Sequence, residues 1–310
     1  MIDELLSTAK AAGLAEAVVR DEPMAPHTSL RVGGPADLFV RVRRLDDLCA
    51  WVLLARRHEV PYFLLGRGTN VLVADAGIRG LVIANECDDF ALSPDGTDER
   101  TAAVRAESGA SLPGLAHALA RQGWAGLEWA IGVPATVGAA VINNAGAYGG
   151  CIADVLRSAT VMDAAGQVRE WQPAEFEFSY RFSKLKGRRG SELVLTATLG
   201  LRREEPKVIL ARIAEYTAHR RHTQPSEPSV GSVFKNPPGD FAGRLLDQAG
   251  LKGFRVGGAQ VSQLHANWIV NAGGATASDV WAVIQEMHRR AQEQFGVELE
   301  LEIERVGDWS

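Results

Sequence analysis

The chain has 310 residues, a formal net charge of −5, 46% hydrophobic residues and 23% charged residues. That length exceeds what one core usually holds, the balance is that of a folded chain, and so mild a charge excludes any long-range pull toward nucleic acid or anionic lipid. Cys49, Cys87 and Cys151 show no Cys-x-x-Cys spacing, acids stand where a signal peptide carries base, and no apolar run nears the roughly 18 residues of a membrane span; a cytoplasmic protein without disulfide framework, metal site, membrane association or obligate protein partner is expected.

In chain order, apolar spacing predicts an amphipathic helix from Ile2 to about Val19, then a loop holding Pro23 and Pro26. A strand is expected over 38–42, a helix over 45–58, and short strands over 62–65, 71–74 and 81–84. A strand over 102–108 and a helix over 112–122, with Pro113 in its first turn, follow. After a glycine-punctuated stretch from Gly126 to Gly150 come strands over 158–163, 168–172 and 192–201. The last third reads as helices over 208–221 and 241–249, a strand over 268–271, a helix over 278–295 capped by Ser278, and a final strand over 298–306. The basic pairs Arg188–Arg189 and Arg220–Arg221 carry no interleaved aromatics and read as solvated surface.

Two glycine-rich segments stand out. Gly66-Arg-Gly-Thr-Asn-Val71 lacks the third glycine of a dinucleotide fingerprint and leads into a strand, not a helix, so a Rossmann site is excluded. It is either a plain glycine turn or a nest of backbone N–H groups that binds an anion. Gly132-Val-Pro-Ala-Thr-Val-Gly138 and the following stretch to Gly149 are dominated by small residues, with Asn143, Asn144 and Tyr148 as polar groups. Either a ligand approaches the backbone closely there, or a helix packs tightly on a sheet.

The ordered set of His27-Thr-Ser-Leu-Arg-Val-Gly-Gly-Pro-Ala-Asp37, Leu65-Gly-Arg-Gly-Thr-Asn70, Gly132 to Gly138, Asn144-Ala-Gly-Ala-Tyr148, Tyr180-Arg181, Gly231-Ser-Val-Phe-Lys-Asn-Pro237 and His265-Ala-Asn-Trp-Ile-Val-Asn271 resembles the UDP-N-acetylenolpyruvoylglucosamine reductase (MurB) family, in its shorter-chain subtype. The resemblance runs from about His27 to Gly307. It implies an α+β architecture with an FAD-binding fold of the vanillyl-alcohol-oxidase type. Two FAD-binding subdomains, 1–95 and 96–203, are followed by a substrate-binding α+β domain, 204–310, whose last strand returns to the active site. It further implies FAD and NADPH as cofactors, and reduction of a small-molecule UDP-sugar, UDP-N-acetylglucosamine enolpyruvate, to UDP-N-acetylmuramate in peptidoglycan precursor synthesis.

Carried onto this chain, the resemblance assigns cofactor contacts to Gly66, Arg67, Gly68, Thr69, Asn70, Val71, Gly132, Val133, Pro134, Thr136, Val137, Gly138, Asn144, Gly146, Ala147 and Tyr148. Substrate contacts fall to Lys235, Asn236, His265 and Asn267. Three catalytic roles remain. Hydride delivered to the terminal carbon of the enolpyruvyl double bond builds charge on its carboxylate, which the fork of Arg181 suits. The other carbon needs a proton, and Ser232 matches the family's donor; its hydroxyl must be polarised by neighbours. Glu302 matches the family's carboxylate. If the last strand alternates regularly, Glu300, Glu302 and Glu304 share a face and raise one another's pKa, favouring a protonated Glu302.

The chain departs from the family pattern at Glu304, where an arginine is usual, at Leu264, often lysine, and at Ala139, usually glycine. Either weak nucleotide binding is tolerated, or Lys235, Lys252, Arg244 or Arg255 compensates for the lost phosphate partner. Two rivals remain: another flavin oxidoreductase of the same fold, and a non-catalytic FAD-binding paralogue.

Overall fold

The computed structural model describes residues 2–14, 18–94, 98–188 and 190–310, except the side chains of 187 and 188; the side chains of the basic pair at 188–189 therefore lie outside what is described. Helix α1 (Ile2–Ala11) is shorter than its periodicity suggested, because the chain turns at Gly13, whose φ of 75° is left-handed. Strand β1 (Val19–Pro23) then pairs antiparallel with β2 (Pro35–Val42). The expected loop is thus an edge strand with almost no buried face, so no alternation marks it in the sequence. Helix α2 (Leu45–Arg57) and strands β3 (Tyr62–Leu65), β4 (Val71–Val73) and β5 (Ile78–Asn85) follow as expected. A second unforeseen edge strand, β6 (Phe90–Pro94), has all five residues exposed.

Next come β7 (Thr101–Glu107), α3 (Leu112–Arg121), β8 (Trp124–Ala125) and α4 (Val137–Ile142). The hairpin of β9 (Gly146–Ala147) and β10 (Gly150–Cys151) leads to the single turn α5 (Ile152–Val155). Strands β11 (Leu156–Met162), β12 (Val168–Trp171) and β13 (Leu193–Arg203) complete a six-stranded antiparallel sheet in the order β12-β11-β13-β7-β6, with β8 also on β13. Helix α6 (Pro206–Thr223) precedes β14 (Ser229–Ser232), α7 (Ala242–Gln248), β15 (Arg255–Val256), β16 (Ala259–Val261), β17 (Trp268–Asn271), α8 (Ala277–Phe295) and β18 (Glu304–Val306). Among the described residues no helix is long and apolar enough to cross a membrane.

The chain forms two compact units. The first holds 1–18, 40–66 and 83–220; the second holds 19–39, 67–82 and 221–310. In the first, the apolar face of α3 (Leu112, Leu115, Leu119) and Val137 and Val141 of α4 join the core of the six-stranded sheet, with Val104, Val161 and Leu199. The helical spacing of those leucines and the alternation along β7 produce this face directly. In the second, β14-β17-β16-β15 forms a sheet, and Val280, Val283, Ile284 and Met287 of α8 share a core with Phe234, Leu245 and Ile269. Each such apolar side chain contributes about 2 kcal/mol on burial.

Two expectations are corrected in the second unit. Helix α8 is capped by Thr276, not Ser278. Thr276 Oγ1 accepts the Asp279 N–H at 3.0 Å, and the Asp279 carboxylate accepts the Thr276 N–H at 3.1 Å. Ser278 instead donates its hydroxyl to Asp75 at 2.6 Å. The final strand is also not continuous over 298–306. Leu301 makes a lone bridge to Phe234, the chain bends at Ile303, and only β18 is a strand, parallel to β4. The segment changes partner midway, so the regular alternation assumed for Glu300, Glu302 and Glu304 does not hold through Glu302.

Candidate active site

In the first unit, the stretch from Gly132 to Tyr148 is built by close approach. Helix α4 starts at Thr136, 4% exposed, whose hydroxyl accepts the Ala139 N–H at 3.4 Å. The same Oγ1 lies 3.0 Å from where a Cβ on Gly66 would stand, which brings the two glycine-rich segments together at that point. A Cβ on Gly132 would meet the Tyr148 ring at 2.7 Å, so only glycine fits. The Val137 and Gly138 N–H groups donate to Ala110 and Ser108 carbonyls at 2.9 and 2.8 Å. Those two amides are thus occupied within the protein.

Three non-glycine residues here have left-handed backbones: Asn144 (φ 41°), Tyr148 (φ 51°) and Arg181 (φ 54°). Each such conformation costs on the order of 1 kcal/mol and needs surrounding structure to hold it. That structure is visible. Asn144 Nδ2 donates to Ser179 O at 2.9 Å, Ser183 Oγ to Ile142 O at 2.6 Å, and Arg181 Nη1 to Gly146 O at 2.9 Å. The turn carrying Arg181 is thereby bound to 142–146. Tyr148 stacks on Tyr216 of α6, rings 4.3 Å apart and 1° from parallel, and donates to Tyr216 O at 3.1 Å.

Arg220 corrects another expectation. It is not a solvated residue: its guanidinium donates to the Gly132 carbonyl, and burial pushes its pKa down. Neither it nor Tyr216 was foreseen as part of this region, although Tyr216, His219 and Arg220 share one face of α6 by i, i+3 and i+4 spacing. FAD fits this stretch on one further ground. The Oδ1 of Asn143 is buried without a hydrogen-bond partner among the described residues, and a buried amide oxygen of that kind calls for a donor from a ligand or water.

In the second unit, Gly68 (φ 63°) brings its backbone against His27, where any Cβ would lie 2.0 Å from the carbonyl oxygen. Asn70 joins this loop to the C-terminal segment: its Nδ2 donates to Glu302 O at 3.1 Å, and its carbonyl accepts the Glu304 N–H at 2.9 Å. Val71 pairs with Glu304. Ser232 ends β14 directly after a bulge. Ser229 and Ser232 oppose Val270 and Trp268, so four residues on one strand face three on the other, with Gly231 at φ 79°. Such a bulge re-aims the side chains beside it.

Beyond Ser232 the strand is held on both edges. Glu302 donates its N–H to Val233 O at 2.8 Å, and Lys235 donates its own to Glu300 O at 2.8 Å. On the other edge, Asn267 engages Phe234 with both ends of its amide, Oδ1 from the N–H at 3.0 Å and Nδ2 to the carbonyl at 2.8 Å. Asn236 Oδ1 accepts the Ala242 N–H at 3.1 Å at the start of α7. His265 Nδ1 accepts the Asn267 N–H at 3.2 Å, which leaves Nε2 as the protonated nitrogen of the neutral ring. Burial, then Lys252, hold its pKa below the usual value.

The four cations named as phosphate partners are each engaged by this unit itself. Lys235 pairs with Glu300, Lys252 with Asp247 at 2.7 Å and Arg244 with Asp240, while Arg255 donates to Gly257 O at 2.7 Å. Arg305 lies between the indoles of Trp281 and Trp309, 3.8 and 4.3 Å from their centroids.

Comparison with known proteins follows this geometry. The family model described as "FAD binding domain" matches residues 36–172, and that described as "UDP-N-acetylenolpyruvoylglucosamine reductase, C-terminal domain" matches 224–306. The UDP-N-acetylenolpyruvoylglucosamine reductase 2 of Symbiobacterium thermophilum is 44% identical over 289 residues, 93% of this chain and 92% of its own. The reductase of Chloroflexus aggregans is 44% identical over 287 residues, 91% of this chain and 95% of its own. The crystal structure of the reductase (MurB) from Thermus caldophilus superposes with a TM-score of 0.76 at 38% identity, covering 93% of this chain and 98% of that one. The expected α+β FAD-binding fold is borne out. This chain belongs to the UDP-N-acetylenolpyruvoylglucosamine reductase family, flavin oxidoreductases of peptidoglycan synthesis.

Proposed function

We propose that the protein reduces the enolpyruvyl double bond of UDP-N-acetylglucosamine enolpyruvate to give UDP-N-acetylmuramate, with NADPH as reductant. FAD, once reduced by NADPH, would supply the hydride for the terminal carbon of that double bond. The residues of 132–148, with Gly66, would hold it. The 1–95, 96–203 and 204–310 division, the last part for the sugar nucleotide, belongs to the same proposal.

The chain's own residues carry the remainder. Arg181 receives the substrate carboxylate, where negative charge grows, and its guanidinium is already oriented by the Gly146 carbonyl. Ser232 gives its hydroxyl proton to the carbon that bears the ether oxygen, which completes the saturated lactyl product. Glu302, whose backbone N–H is bonded to Val233, the residue after that serine, is the carboxylate of the same step. Nε2–H of neutral His265 is a donor for the polar part of the substrate, and Asn236 and Lys235 line the same strand–helix turn.

The observation that most supports this reading is the pairing of Glu302 with Val233, the residue after Ser232. It sets two of the three catalytic positions on adjacent hydrogen-bonded segments. The test is spectroscopic: purified protein should be yellow, bleach with NADPH without consuming oxygen at a matching rate, and recover its colour on addition of the enolpyruvyl sugar. Recovery with oxygen alone would favour an oxidase; bleaching with no recovery from the sugar would favour a non-catalytic paralogue.

A further inference from the structure

Asn267 was expected to touch the substrate, yet it is 2% exposed and both ends of its amide are engaged with one backbone unit. The pattern of those bonds is informative. A strand residue normally exchanges N–H and C=O with a residue on the neighbouring strand. At Phe234 the strand continuing from β14 has left β17 behind, and the Asn267 side chain replaces that partner, with its N–H···Oδ1 bond at 3.0 Å and its Nδ2–H···O bond at 2.8 Å. The backbone adds a third bond, Val233 N–H to Asn267 O at 2.9 Å. On the opposite edge, Val233 and Lys235 take Glu302 and Glu300 as partners, and Phe234 bridges to Leu301.

We infer that Asn267 is a positioning residue for the protonation step: an amide clamp that extends the β14 edge past its bulge and thereby sets the register of Ser232 against Glu302. The bulge makes the clamp necessary. Gly231 has a left-handed backbone, and beyond it the pairing of Ser232 with Trp268 is the last ladder contact with β17, so from Val233 onward the strand needs another partner on that edge. A carboxamide is the chemistry required, since one donor and one acceptor in a single plane match a peptide unit. This inference rests on the proposed reaction, because only a proton-donating Ser232 needs that register. The backbone N–H of Asn267 separately donates to His265 Nδ1, a bond that does not depend on the side-chain amide.

The test uses the FAD-loaded full chain with Asn267→Asp and Asn267→Leu. Aspartate keeps the acceptor for the Phe234 N–H but sets an oxygen against the Phe234 carbonyl until it binds a proton. That contact and burial raise its pKa. Stopped-flow traces separate flavin reduction by NADPH from reoxidation by the enolpyruvyl sugar. Misplacing a reacting group by about 1 Å costs up to about 100-fold. Asn267→Asp is therefore expected to lose about 10-fold to 100-fold in reoxidation at neutral pH, to keep wild-type reduction, and to regain reoxidation on acidification relative to wild type. Asn267→Leu should show the loss at every pH.

Wild-type reoxidation by a folded Asn267→Asp at neutral pH would overturn the inference, and so would equal losses in both half-reactions. If neither variant folds, amide hydrogen exchange of the wild-type protein decides. The Phe234 and Glu302 N–H groups should exchange as slowly as the β17 ladder; exchange at loop rates overturns the clamp. If wild-type flavin is not reoxidised by the sugar at all, the proposed reaction fails, and the exchange data still judge the clamp.

Discussion

From Gly132 to Tyr148 the first unit shapes its site by removing side chains. Glycines admit backbone against a ring, two left-handed non-glycine residues, Asn144 and Tyr148, are tolerated, and a few side chains secure the loops from outside. From Ser232 to Lys235 the second unit does the reverse. A regular strand is interrupted by a bulge and then held by a buried amide on one edge and the C-terminal segment on the other. The first arrangement lets backbone pack directly against neighbouring rings and strands, and the second adds a side chain to hold one backbone segment. The difference shows two ways to fix a loop, by omitting side chains in one case and by supplying an amide in the other.

The comparison is broken most severely at Arg181, where a charged group is held by the glycine-rich region. Arg181→Met should lower sugar-dependent flavin reoxidation by about 10²–10³-fold, the usual cost of losing one donor to developing charge. Reduction by NADPH should stay unchanged. Steady-state and stopped-flow rates check both; a smaller loss than in a Tyr180→Ala control would remove Arg181 from the reaction.

Gly132→Val sharpens the contrast. Its Cβ would stand 2.7 Å from the Tyr148 ring, an overpacking that typically costs about 1–3 kcal/mol. Retained flavin per mole of protein should fall while the second unit stays folded, and absorbance ratios with thermal unfolding measure both. Unchanged flavin content would mean that the close approach of Gly132 to Tyr148 is not needed for flavin binding.

His265 probes the constrained region through pH. Its pKa is held down by burial and by Lys252, so folding favours the neutral ring. Stability is then intact above the ordinary histidine pKa and declines as pH falls below that value toward the lowered one. Wild-type protein should lose more thermal stability between about pH 7 and pH 5 than His265→Gln does. Parallel curves for the two proteins would show the ring to be free of that burden.

The smallest effect is expected away from both regions, on α8. The guanidinium groups of Arg289 and Arg290 hold Glu286 down at about 2. These are surface pairs, so Glu286→Gln should cost only about 0.5 kcal/mol at neutral pH. The difference should vanish as the pH falls from the ordinary carboxylate range toward 2, because a lowered carboxylate pKa stabilises only above that range. Denaturant titration at the two pH values resolves it.

How much of this was legible in the sequence varied with how local the cause was. Helices α2, α3 and α8 carry their own apolar stripe, and β7, β11 and β13 their own alternation, so their positions follow from spacing. Edge strands β1 and β6 bury almost nothing and leave no pattern. The break at Ile303 depends on a change of partner from Phe234 to β4, and no residue within 298–306 announces it. Candidate site residues were found through motif order, but their roles depend on distant backbone. Arg220 looks like surface charge until Gly132 is seen to accept from it, and Asn267 looks like a ligand contact until Phe234 is seen to occupy its amide.

Ser232→Ala tests most directly the claim that a held serine hydroxyl completes the reduction. Single-turnover traces of the FAD-loaded variant should show NADPH reduction at the wild-type rate and reoxidation by the enolpyruvyl sugar slowed by about 10²–10⁴-fold, the range for removing a positioned proton donor. Reoxidation at the wild-type rate would contradict it, and the proton would have to come from elsewhere in the site.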